Sequence, residues 1–166
     1  KKPKAEAPAK TASQEVAALP PGTETDKKME TAPPAAGKNG GDGDADHKMG
    51  LRFYNGINVE KNYGKAAEFF LKAAAVGHPG AQYNLGIMNF LGQTGGQDFT
   101  NAAKWFEKAA AQGHTQAQYN LGFLYYEGKG VERDLKKAFD WISRAAEQGD
   151  PKAAKAAQLI DKAVER

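Results

Sequence analysis

Apolar residues recur at helical spacing through the second half of the chain. Over residues 81–91, Ala81, Leu85, Ile87, Met88 and Leu91 predict a helix with one apolar face that stops at Gly92. Residues 92–97 are glycine-rich and read as a loop. Asp98 then stands where a side-chain oxygen can accept from the free amides of the next helix start. Ala102, Trp105, Phe106, Ala109 and Ala110 supply the buried stripe of that second helix, and Gly113 supplies its left-handed stop. His78-Pro79 and Asp150-Pro151 restart the chain with a capping residue followed by proline in the first helical position.

This two-helix unit repeats. Residues 81–86 read Ala-Gln-Tyr-Asn-Leu-Gly, and residues 117–122 read the same; 117 − 81 gives a period of 36. Without gaps, Gly41, Gly77, Gly113 and Gly149 share a column, as do Gly50, Gly86 and Gly122, and Gly56, Gly92 and Gly128. Phe69, Trp105 and Trp141 form a column of large rings. Gap-free repetition at this period predicts an all-α solenoid, a stack in which each unit covers the apolar side of the one before. The expected units are 45–80, 81–116 and 117–152, with residues 153–166 as a capping helix. Ala153, Ala156, Ala157, Ile160 and Ala163 make that helix's inward face. Gly86 lies inside a helix, where glycine costs about 1 kcal/mol relative to alanine. Its recurrence predicts a close approach there, by the Trp105 or Trp141 ring or by a backbone.

Composition divides the chain. Residues 1–40 contain no aromatic residue and six of the eight prolines, so they cannot bury enough apolar surface to order their backbone. They are expected to form a disordered Ala/Pro/Lys-rich linker, with the repeat domain spanning 41–166. The chain opens at Lys1, and the linker is expected to join the domain to a signal or anchor upstream. A net charge of +3 provides no footprint for duplex nucleic acid, and no apolar run reaches the length of a membrane span. The absence of cysteine excludes disulfides and thiolate chemistry. Neither serine, Ser13 or Ser143, has a histidine and an acid in its sequence neighbourhood, so no hydrolytic triad is expected. No enzyme activity, cofactor or metal is expected.

The run Leu121-Gly122, Tyr125, Gly128, Gly130-Val131, Asp134, Lys137-Ala138, Trp141, Ala145-Ala146 and Gly149 resembles the Sel1-like repeat family, relatives of tetratricopeptide repeats. The resemblance covers residues 41–166. The second copy departs from it at Gly95, where the pattern has valine, and the first at Asn62 and Phe69. It implies an α-solenoid that acts as a protein–protein adaptor or scaffold. Many bacterial members serve in the cell envelope, so a periplasmic or envelope location is the expectation.

In related stacks the first helix of each pair lines the concave face. Carried over, this places Leu51, Tyr54, Tyr83, Ile87, Phe90, Tyr119, Phe123 and Tyr126 on or beside a groove for a peptide or helix of a partner protein. Tyr83 and Tyr119 can equally pack between helices, whereas Phe90 and Tyr126 are the rings most expected to be exposed. Asn84 and Asn120 can clamp a peptide backbone or bond between repeats. His78 and His114, aligned with Asp150, suggest a metal row, but equivalent residues of stacked units lie about 10 Å apart. They are therefore expected to be caps. His47 is expected to be solvated. Lys129, Arg133, Lys136 and Lys137 are interleaved with Glu127, Glu132 and Asp134 and predict a mixed-charge edge. Two other functions compete with the adaptor: peptidoglycan or glycan binding on tyrosine faces, and self-association of a structural module through its open first repeat.

Overall fold

The computed structural model describes residue 41 and residues 43–164. The expected linker, residues 1–40, lies outside the described residues, as does the Ala163 side chain. Among the described residues seven helices follow one another: α1 (Asp44–Asn55), α2 (Tyr63–Ala75), α3 (Pro79–Leu91), α4 (Phe99–Ala111), α5 (Thr115–Glu127), α6 (Leu135–Glu147) and α7 (Pro151–Val164). There are no strands among the described residues. Each helix packs on its neighbours in sequence, which makes three helix pairs (α1–α2, α3–α4, α5–α6) closed by α7.

The boundaries follow from local chemistry. Asn62, Asp98 and Asp134 accept from the amides of Lys65, Asn101 and Lys137 at 2.9, 2.9 and 3.0 Å, capping the second helix of each pair. His78 and His114 cap α3 and α5 through Nδ1, accepting from Ala81 at 3.2 Å and Ala117 at 3.3 Å. Asp150 does the same for α7 at the Ala153 amide, 3.0 Å away. The histidine column is thus a row of caps. Gly92 and Gly128 end α3 and α5 in the left-handed conformation, φ 71° and 69°.

The core has two parts, and α3 belongs to both. Ala81, Leu85 and Met88 face the first repeat, while Tyr83, Ile87 and Phe90 face onward into the cluster that runs to α7. The single apolar face expected for residues 81–91 is therefore two faces. Residues 81–88 are all buried, and so are residues 117–124 of α5. Each of these inner helices is sandwiched between the second helix of the preceding repeat and its own partner. Their central turns have no side left for water, while their ends are partly exposed. In α7, Ala153 and Ile160 are buried, Ala156 and Ala157 are half-buried, and Leu159 remains exposed.

The close approach expected at the glycine column is found, in part from a backbone at Gly122, where a Cβ would stand 2.9 Å from the Ala138 carbonyl oxygen, but the side chains that make it are not the tryptophans. A Cβ on Gly86 would stand 2.5 Å from ring carbons of Phe106; on Gly50, 2.5 Å from Phe70; and on Gly122, 2.5 Å from Ile142 Cγ1. Trp105 and Trp141, one position earlier, are half-buried and turned aside. Successive helical residues point about 100° apart, and the roll of α4 and α6 aims positions 106 and 142 at the glycine.

Candidate interaction surface

The inner helices carry four columns that bear on recognition. Six of the eight expected groove residues are interior: Tyr54, Tyr83, Ile87, Phe90, Tyr119 and Phe123 are all buried. Leu51 and Tyr126 are half-buried. Phe90, expected to be open, is 8% exposed and meets Phe99 edge-on with ring centroids 5.2 Å apart. For Tyr83 and Tyr119, packing between helices is the arrangement found. The sandwiching of α3 and α5 explains five of them; Tyr54, on α1, is covered by Tyr63 and Phe70 of α2, with ring centroids 5.1 and 6.3 Å away.

The buried polar groups of these columns face one another across repeats. Asn84 Nδ2 donates to His47 Nε2 at 2.9 Å, an inter-repeat bond in place of an exposed clamp. Asn120, in the same column one repeat later, faces the equivalent partner Tyr83. Neither amide atom of Asn120 makes a hydrogen bond of ordinary geometry. Both asparagines are 1% exposed. Burial pushes the Tyr83 phenol up to about 12, with the Asn120 amide opposing the shift. His47 is not solvated. Its ring lies 4.4 Å from that of His78 and 5.8 Å from Phe70, and burial, reinforced by His78, lowers its pKa to about 4. One repeat on, Tyr83 stacks on His114 at 4.5 Å, and burial lowers His114 to about 4 as well. Since the Ala81 amide donates to His78 Nδ1, the His78 Nε2 carries the proton and donates to Asp44 Oδ1 at 2.9 Å.

Two further networks tie the repeats together. Gln112 Nε2 donates to Gln82 Oε1 at 2.8 Å and to the Gly77 carbonyl at 2.9 Å. Gln148 Nε2 donates to Gln118 Oε1 at 2.7 Å, and Thr115 Oγ1 donates to Gln148 Oε1 at 2.8 Å. The sequence held the signal, since the recurrent Ala-Gln and Gln-Gly pairs lie in matching columns. Tyr54 accepts from Gln93 Nε2 at 2.7 Å, and burial raises its pKa.

The polar surface lies mainly on the second helices and their loops. The expected mixed-charge edge is present: Lys129 pairs with Glu127 at 3.7 Å, Lys137 pairs with Asp134 at 3.8 Å, and Arg133 Nε donates to the Tyr126 carbonyl at 3.0 Å. Tyr125, Val131, Glu132, Arg133, Asp134 and Lys137 enclose an open cleft of about 410 Å³ there. Among the described residues no helix is long and apolar enough to cross a membrane, and no group of three or more His, Asp or Glu is placed to hold a metal ion.

Interlocked helix pairs with recurrent caps, a glycine column and a closing helix define a capped α-solenoid of two-helix repeats. The chain belongs to the Sel1 repeat family, whose model matches residues 43–78, 79–114 and 115–150. Its structure is similar to that of a Sel1 repeat protein from Oxalobacter formigenes, with 38% identity and a TM-score of 0.69 over 70% of this chain and 48% of the other. It is also similar to c5321, described as a protective antigen of uropathogenic Escherichia coli with an SLR fold. That match has 37% identity and a TM-score of 0.65, and covers 67% of this chain and 24% of the other. Cysteine rich protein B of Helicobacter pylori shares the fold, at 21% identity and a TM-score of 0.57 over 68% of this chain and 95% of the other. The chain therefore spans about half and about a quarter of the first two relatives. No curated protein matches it in sequence. Sel1 repeat proteins are generally protein-interaction scaffolds without catalytic activity.

Proposed function

We propose that this chain is a non-catalytic scaffold that holds a segment of another protein. The observation that supports this most directly is the closure of α3 and α5 on both sides. A stack whose inner helices are enclosed along residues 81–88 and 117–124 keeps a fixed shape, and a fixed surface loses little entropy on binding. The groove reading then rests on Leu51 and Tyr126, which have surface to offer, with the six buried residues as the wall behind them. A photo-crosslinker substituted at Tyr126 in the full chain tests this in host extract. Discrete adducts competed away by unmodified chain are the expected result; none from a normally folded variant contradicts it.

The alternatives draw less support. Glycan stacking needs open ring faces, and those of Tyr54, Tyr83 and Tyr119 are buried. End-to-end stacking needs apolar ends. Asp44, Lys48 and Asn55 are exposed on α1, and Gln158, in the glycine column, is exposed on α7. We propose a bacterial periplasmic or cell-envelope location for the scaffold, the setting in which many bacterial members of the repeat family serve. Fractionation of the host tests that placement.

A further inference from the structure

Arg52 is the one charged residue buried among the described residues, at 8% exposed, and its guanidinium makes no ion pair or hydrogen bond with any of them. A buried cation without a counter-charge is strongly destabilising, so the position calls for an anion. One and two units later the same column holds Met88 and Leu124, buried where the second helix of the preceding repeat packs on the inner helix. The turn between those helices sets which residues meet. Counting outward from Gly77, Ala73 is level with Ala81 and Ala66 with Met88, and all four are buried in one cluster. Counting outward from Gly113 puts Ala102 level with Leu124, and both are buried in the next cluster.

The same count from Gly41, which stands in that glycine column one unit earlier, puts Glu30 level with Arg52. Upstream, Asp26 falls in the column of the caps Asn62, Asp98 and Asp134, and Pro33-Pro34 fall where Phe69-Phe70 stand. A helix opened by Asp26 would run for about two turns and stop before the prolines. We propose that residues 26–32 dock on the open side of α1 as the opening turns of a second helix, with the Glu30 carboxylate paired to the Arg52 guanidinium. The burial along α1 has this extent. Arg52 is buried, while Ala45 and Lys48, level with residues beyond Pro33, are exposed. Their counterparts Ala81, Asn84, Ala117 and Asn120, which lie under complete second helices, are all buried. The two columns also change together: alanine becomes glutamate in one, and methionine or leucine becomes arginine in the other. The pairing closes the first repeat from within the chain. It uses none of the groove residues, so it stands apart from the scaffold reading.

A double-mutant cycle on the full chain, read by urea denaturation, tests the pairing. Glu30→Gln should raise the unfolding equilibrium constant about tenfold, because it leaves Arg52 buried without its counter-charge. Arg52→Met installs the residue that the same column holds at position 88 and should leave the chain folded. In that background Glu30→Gln should change the constant by about twofold or less. Glu24→Gln removes an equal charge outside the docked segment and should change neither background. The Arg52 Nε–H resonance gives a readout that does not depend on stability: it should move in Glu30→Gln and stay in place in Glu24→Gln. Equal effects of Glu30→Gln in both backgrounds, no effect in either, or an Arg52 signal that ignores Glu30 would overturn the proposal. So would an effect that grows with protein concentration, since a second copy would then supply the carboxylate.

Discussion

Phe106 occupies the space that a side chain on Gly86 would need: a Cβ there would stand 2.5 Å from both Cδ1 and Cε1 of the ring. The ring belongs to α4 and the glycine to α3, so the two helices of the repeat interlock at this point. Phe106 is fully buried, which leaves it no room to withdraw. Phe70 over Gly50 and Ile142 over Gly122 repeat the arrangement, and the stack owes its regular spacing to this contact made three times.

Burial of the inner helices separates Phe90 from Tyr126, which share a column. Phe90→Ala removes a core ring and is expected to cost about 3–5 kcal/mol. Tyr126→Ala removes a half-exposed ring and is expected to cost well under half of that. Urea denaturation of the two variants checks the order; equal losses would place both rings in the core.

His47 and His114 make stability depend on pH. Their folded pKa values, about 4, lie below the ordinary histidine value of 6.5. Between those limits the unfolded chain binds more protons, so stability is complete above about pH 6.5, falls as the pH drops toward 4 and levels off below. The expected loss is on the order of 1–3 kcal/mol per histidine, allowing for the partial exposure of His47. Denaturant midpoints at pH 7.5 and 4.5 measure it. The double variant His47→Tyr/His114→Asn should flatten the dependence; tyrosine is what the same column holds at residues 83 and 119.

Gln112 bridges two repeats, and its loss strands a buried partner. Gln112→Ala leaves Gln82, 5% exposed, without the amide that donates to it. A cost of about 1–3 kcal/mol is expected, against a few tenths for Lys104→Ala on the exposed side of the same helix. Thermal unfolding of the two variants compares them.

Features set by local spacing were legible in the sequence. The caps at Asp98, His78 and His114 and the stop at Gly92 each depend on residues within a few positions of one another, and the period of 36 shows directly as identical residues in matching columns. The ring over Gly86 was not legible, because choosing between Trp105 and Phe106 requires the roll of α4. The burial of Tyr83, Ile87 and Phe90 had a sign that an amphipathic reading overlooks: residues 79–91 contain no charged side chain, the mark of a helix enclosed all round. The burial of His47 depends on Asn84 and His78, more than thirty residues away, and no local pattern encodes it.

The interlock of α3 and α4 is tested most directly by Gly86→Ala. On helix propensity alone alanine would stabilise α3 by about 1 kcal/mol. Against the fixed Phe106 ring the substitution is expected instead to destabilise by about 1–3 kcal/mol, and most of that loss should disappear when it is compared in a Phe106→Ala background. A rise in the denaturation midpoint of Gly86→Ala, or the same loss in both backgrounds, would contradict the account.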